Sequence, residues 1–129
     1  MAGKDIIRTD RAPGPFQGAP YNQAIRVGDL VFVAGQLGID RETGELVGPS
    51  VTEQTEQIMK NLAAILEAAG SGLDKLVKTT VFLIDLGDFA GMNEVYARRV
   101  GEGPPARSTV GISALPSGAV VEIEAVAHV

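Results

Sequence analysis

The sequence predicts an α+β fold of two layers, a mixed sheet with two helices on one face. Two observations predict it. Two stretches repeat apolar residues at helical spacing, and around them lie short runs rich in β-branched and apolar residues, punctuated by Gly and Pro. The order reads β-β-β-α-β-α-β-β, and two helices can cover one face of one sheet. At 129 residues the chain suits a single domain, 1–129.

The elements follow in order. "RAPGPFQGAP", Arg11 to Pro20, is rich in Pro and Gly and reads as an irregular loop. "AIRVGDLVFVAG" follows, two short strands about a Gly28-Asp29 turn. "DRETGELVG" is a second turn with Gly44 at its tip. Ser50 and Glu53 then form an S-x-x-E capping box, whose side chains satisfy backbone donors at a helix start. Ile58, Leu62, Ile65, Leu66 and Ala69 give that helix one apolar face, and Gly70 closes it in a left-handed conformation. "LVKTTVFLID" is an interior strand. Asp88 is the expected cap of a second helix, with Phe89, Met92, Val95, Tyr96 and Val100 as its apolar stripe and Gly101 as its stop. Two C-terminal strands follow, joined by "LPSG", a turn signal. The strands carry more apolar residues than two helices can cover. Val31, Val33, Val81, Leu83, Val110 and Ile112 cannot all face them, so the open sheet face is expected to pack against further copies of the chain.

Composition narrows the chemistry. No run of about 18 apolar residues exists, so a membrane-spanning helix is not expected. The N-terminal "MAGKDIIRTD" lacks the hydrophobic region of a signal peptide. Cysteine is absent, which removes disulfides and thiolate chemistry and fits a cytoplasmic protein. A net charge of −5 and an aromatic content of 5% argue against nucleic acid as a partner, because phosphates repel an acidic chain and bases need stacking surfaces. No His/Asp/Glu cluster has metal-ligand spacing and no phosphate-binding glycine motif occurs, so no metal or cofactor is expected. His128 is the one histidine, next to the last residue, which is a poor place for a catalytic relay.

Arg107, Glu122 and Glu124 remain. Alternation along "AVVEIEAVA" sends Val121, Ile123 and Ala125 to one face and both glutamates to the other. Composition alone is equally content with carboxylates facing solvent and an arginine in a surface ion pair. The stiff "PPAR" lead-in, however, fixes where the guanidinium points. If 106–114 and 119–128 form one hairpin about "LPSG", Arg107 lies opposite residue 126, roughly 13 Å along the strand from Glu122. Otherwise the two come from different subunits around a cleft. Held apart, an arginine and a carboxylate can grip an anion at one end and activate water at the other.

These residues also carry a resemblance. "PARSTVGISALPSGAVVEIEAVA", Pro105 to Ala127, with "PYNQA", "VAGQLG" and "VKTTVFLIDLGDFAGMNEVY", resembles the RidA/YjgF reactive intermediate deaminase family, also called endoribonuclease L-PSP-like, over nearly the whole chain. The resemblance implies a chorismate-mutase-like domain that forms a homotrimer with clefts between subunits. It implies hydrolysis of reactive 2-enamino and 2-imino acids, of the 2-aminoacrylate type, to 2-oxo acids and ammonia without cofactor or metal. By position, Arg107 matches the arginine that binds the substrate carboxylate and Glu122 the glutamate that activates water. Tyr21 matches a tyrosine lining the cleft from a neighbouring subunit. Asn93, the Gly35 backbone and Thr109 match further pocket positions. The chain departs from the family pattern at Ala34, where many relatives have Ser, and at Thr109, where many have Cys. Glu124 is left as a structural charge that pairs with a basic residue. The expected partners are therefore the small-molecule substrate and two further copies of the chain, with neither nucleic acid nor membrane. The alternative is a trimeric binder or sensor of 2-oxo acids. A ribonuclease, suggested by the older family name, is disfavoured by the acidic charge and the single terminal histidine.

Overall fold

A computed structural model describes residues 3–129, so the first residues of the N-terminal stretch considered above lie outside it. One mixed sheet of six strands runs through the described chain in the order β1-β2-β3-β6-β4-β5. The strands are β1 (Asp5–Ile7), β2 (Ala24–Val27), β3 (Leu30–Gln36), β4 (Leu76–Leu83), β5 (Ala106–Gly111) and β6 (Val121–His128). Helices α1 (Val51–Ala68) and α2 (Phe89–Val100) cover one face. The chain order is the one predicted. No helix among the described residues is long and apolar enough to cross a membrane.

Local chemistry sets the elements. Ser50 and Glu53 make the reciprocal capping box of α1, and the helix buries Ile58, Leu62, Ile65 and Leu66 completely. Gly70 ends it at φ 82°, a conformation that costs a residue with a Cβ. Gly28 turns β2 into β3 at φ 58°, and Val27 pairs with Leu30 across that turn. Asp88 sits at the N-terminus of α2 without a side-chain cap bond. Asp85 is the residue that caps, accepting from the Gly87 N–H in the short 3₁₀ turn ahead of the helix.

The C-terminal hairpin does not form. β5 pairs in parallel with β4, so Arg107 lies opposite Thr79 and not opposite residue 126. β6 enters the slot between β3 and β4, antiparallel to both. Pro116–Gly118 is a 3₁₀ turn with Ser117 and Gly118 at positive φ, and it belongs to a connection that passes the end of β4. There the Ile84 N–H donates to Val120 O and the Ile112 N–H to Leu83 O. The physical reason is that alternation specifies a strand's face and not its neighbours. In the interior slot β6 pairs along both edges and buries Val121, Ile123, Ala125 and Ala127 under the helices.

The open face is also differently built. Val31, Val33, Val81 and Leu83 are all buried beneath the helices. The face away from them presents Ile6, Val27, Leu30, Phe32 and Val110, with exposures of 41–51%. An apolar outer face exists, but its members are mostly other residues than those expected.

Candidate active site

Parity places the candidate residues on two sides of the sheet. Glu122 pairs with Phe82 and points to the open face, as the alternation predicts. Arg107 pairs with Thr79, a buried residue of the helix-covered face, and reaches beneath α2. Thr109, two residues on, shares that side and is half-buried. The candidate residues therefore form two groups within one chain.

The first group surrounds Glu122 in a cavity of about 300 Å³, with Tyr21, Gly35, Gln36, Phe16 and Pro116 among its lining. A β-bulge creates the opening. The register of β3 against β6 slips between Val33 and Gln36, which places Gly35 against the Glu122 side chain. A methyl group on Gly35 would lie 2.8 Å from Glu122 Cδ, so a larger residue there would displace that carboxylate from its present place. Tyr21 comes from the proline-rich loop, and its hydroxyl accepts the Phe16 N–H at 2.5 Å. Gln23 anchors the same loop: its Nε2 donates to carbonyls of Thr9, Ala12 and Pro13, and its Oε1 accepts the Thr9 N–H. Burial raises the Glu122 pKa above the usual carboxylate range, and the neighbouring Glu124 charge adds to the rise. Glu124 itself is exposed and makes no ion pair among the described residues, which corrects its expected role as a paired structural charge.

The second group surrounds Arg107, in a shallower recess of about 250 Å³ lined by Asn93, Tyr96, Ala97, Val100, Gly101 and Pro104. Its guanidinium carbon stands 4.9 Å from the centroid of the Tyr96 ring and 5.4 Å from that of Phe89. Among the described residues no carboxylate lies within ion-pair distance of it. A guanidinium held against aromatic faces keeps its N–H fork for an external anion. The Asn93 Oδ1 is buried in this region without a hydrogen-bond partner. One recess thus presents a cation for a carboxylate, and the other a carboxylate whose basicity has been raised. No group of three or more His, Asp or Glu among the described residues is placed to hold a metal.

Periodicity marked Phe89, Met92 and Tyr96 as part of the apolar stripe of α2; Met92 and Tyr96 do lie in the core, and all three also form the bed of Arg107. The available signal was their spacing on α2, which sets all three on one helical face. His128 is exposed at the end of β6 and does not line either recess.

Known proteins share this sequence and fold. Residues 11–129 match the family described as Endoribonuclease L-PSP. A RutC family protein of Pyrococcus abyssi is 51% identical over 125 residues, covering 97% of both chains. The human protein named 2-iminobutanoate/2-iminopropanoate deaminase is 43% identical over 122 residues, covering 95% of this chain and 88% of its own. The crystal structure of RidA from an Antarctic Psychrobacter aligns with a TM-score of 0.92 at 46% identity, over 97% of this chain and 99% of that one. With its fold and its sequence both in agreement with theirs, the chain belongs to the Endoribonuclease L-PSP family, alongside proteins named RutC and RidA.

Proposed function

We propose that the protein hydrolyses reactive 2-imino and 2-enamino acids to 2-oxo acids and ammonia, at sites completed between the copies of a homotrimer. The observation that carries this reading is the separation of Arg107 and Glu122 onto opposite faces of one sheet. A single chain cannot bring both to a small substrate, whereas a neighbouring copy can bring its Glu122 recess to Arg107. The apolar residues on the open face supply a reason to associate. The human relative's name supports the reaction class.

Each residue then has one task. Arg107 pairs with the substrate carboxylate through its planar fork, which also draws electron density from the adjacent C=N carbon. Glu122 takes a proton from water as the water oxygen bonds to that carbon and the C=N electrons move to nitrogen. Glu122 returns that proton to nitrogen, which completes the amino alcohol. Glu122 then carries the hydroxyl proton to nitrogen as the C=O bond forms and the C–N bond breaks, and ammonia leaves with the 2-oxo acid behind. Tyr21 and the Gly35 backbone line the water side, and Asn93 and Thr109 the carboxylate side. A carboxylate with a raised pKa is a stronger base than a solvated one, provided that it is ionised.

Subunit complementation tests this reading. Arg107→Ala and Glu122→Gln should each lower turnover of 2-iminopropanoate by about 10²–10⁴-fold. Mixing the two variants, with subunit exchange, should restore about a quarter of wild-type turnover, since random assembly leaves that share of interfaces with both groups intact. No recovery in mixed trimers would place the site within one chain and overturn the shared arrangement. Wild-type protein that binds 2-oxo acids but leaves imines unhydrolysed would establish the non-catalytic alternative.

A further inference from the structure

Arg107 is held by a device that its role as carboxylate anchor does not itself require. Three residues of α2, namely Phe89, Met92 and Tyr96, converge on its guanidinium. The Met92 sulfur lies 4.0 Å from Nη1. Tyr96 is buried at 5% exposure, and its hydroxyl shares a 2.6 Å hydrogen bond with the Thr79 hydroxyl. Thr79 is buried and is the residue paired with Arg107 across the β4–β5 ladder. Strand pairing and side-chain bonding therefore fix the ring and the arginine to the same point of the sheet.

We propose that Tyr96 is a positioning residue: its ring, with that of Phe89, aligns the Arg107 guanidinium so that the N–H fork faces the substrate carboxylate. The proposal rests on the reading of Arg107 as the carboxylate anchor. An arginine side chain loses considerable rotamer freedom when it binds an anion, and packing against fixed rings removes that loss before the ligand arrives. The ring quadrupoles stabilise the cation without consuming its donors, as a protein carboxylate would. Burial raises the Tyr96 pKa, the Thr79 hydrogen bond and the Arg107 charge lower it in part, and the phenol remains neutral. The two rings differ in setting. Tyr96 is locked beneath the helix, whereas Phe89 is 42% exposed at the edge of the site. Tyr96 is thus the fixed wall and Phe89 the outer one.

Affinity for pyruvate, measured by calorimetry, reads the anchor without turnover. Tyr96→Leu should weaken pyruvate binding and raise KM for 2-iminopropanoate by about five- to twentyfold, with kcat changed less than about threefold. Tyr96→Phe keeps the ring and loses the Thr79 bond, so it should stay within about twofold of wild type in affinity while its Tm falls. Phe89→Leu, at an exposed position that the fold tolerates, should weaken binding in the same direction. A purely structural Tyr96 would give a lower Tm with unchanged affinity in Tyr96→Leu, and that result overturns the proposal. Equal loss in the Phe and Leu variants overturns it too, since the hydroxyl and not the ring would then matter. Arg107→Ala separates the two levels of the argument. If that variant binds pyruvate as wild type does, the anchor reading itself fails, and a wild type that does not bind pyruvate has the same consequence.

Discussion

The raised pKa of Glu122 ties one side chain to both stability and rate. Its cause is burial first and the Glu124 charge second, so the native state holds the Glu122 proton more tightly than the unfolded chain does. The contribution to stability is therefore most favourable in acid. It falls as pH rises from the ordinary carboxylate value through the raised native one, and above that window the penalty is constant. Glu122→Gln should melt at a higher temperature than wild type at neutral pH, with the gap closing in acid. Turnover should show the opposite trend, rising through the same window as the base ionises. Glu124→Gln removes a like charge, so it should move the acid limb of the rate profile to lower pH while leaving the plateau rate nearly intact. An acid limb at the same pH in both proteins would show that Glu124 does not act on Glu122. Strand parity in the sequence reached the shared face of these two glutamates. It could not reveal that one is half-buried beside Gly35 and the other exposed, because that difference comes from a bulge in another strand.

At the scale of elements, the helices were more legible than the strand neighbours. The capping box and the Gly70 stop depend on residues a few positions apart, and both occur as read. The partners of β5 and β6 depend on which slot buries more surface and pairs more backbone, and no local pattern encodes that choice. Buried polar ties were equally hidden. Gln54 lies on the apolar face of α1 with no exposed surface, where its Nε2 donates to Gly48 O and its Oε1 accepts the Val120 N–H. It joins the start of α1 to the chain segment entering β6, next to the Glu122 strand. Gln54→Leu keeps the volume but leaves both backbone groups unpaired. Urea denaturation should show a loss of about 1–3 kcal/mol, and the Glu122 recess should loosen with it. A neutral effect would mean that water replaces the amide at that point.

For the whole molecule, the proposed trimer rests on the apolar open face. Light scattering behind size exclusion should give about three times 13.4 kDa. Phe32→Glu, on the exposed middle of that face, should yield folded monomers by circular dichroism that neither turn over substrate nor complement other variants. An active monomer would sever function from assembly. The Arg107–Glu122 separation was foreseeable only as one of two alternatives, because the sequence could not say whether β5 and β6 were neighbours. Their true arrangement bears on how the chain acquires its fold. β3 and β4 never meet, and each is completed only by β6, with Leu30 pairing to His128 and Leu76 to Ala127. Those pairings join residues far apart in sequence, so their loop-closure entropy is spent before the contacts that repay it exist. Insertion of β6 is thus the expected late and slow event of folding. Until it occurs the chain exposes two unpaired strand edges flanking an open apolar seam, and the strand that carries Glu122 is also the one whose delay leaves the chain most prone to aggregate.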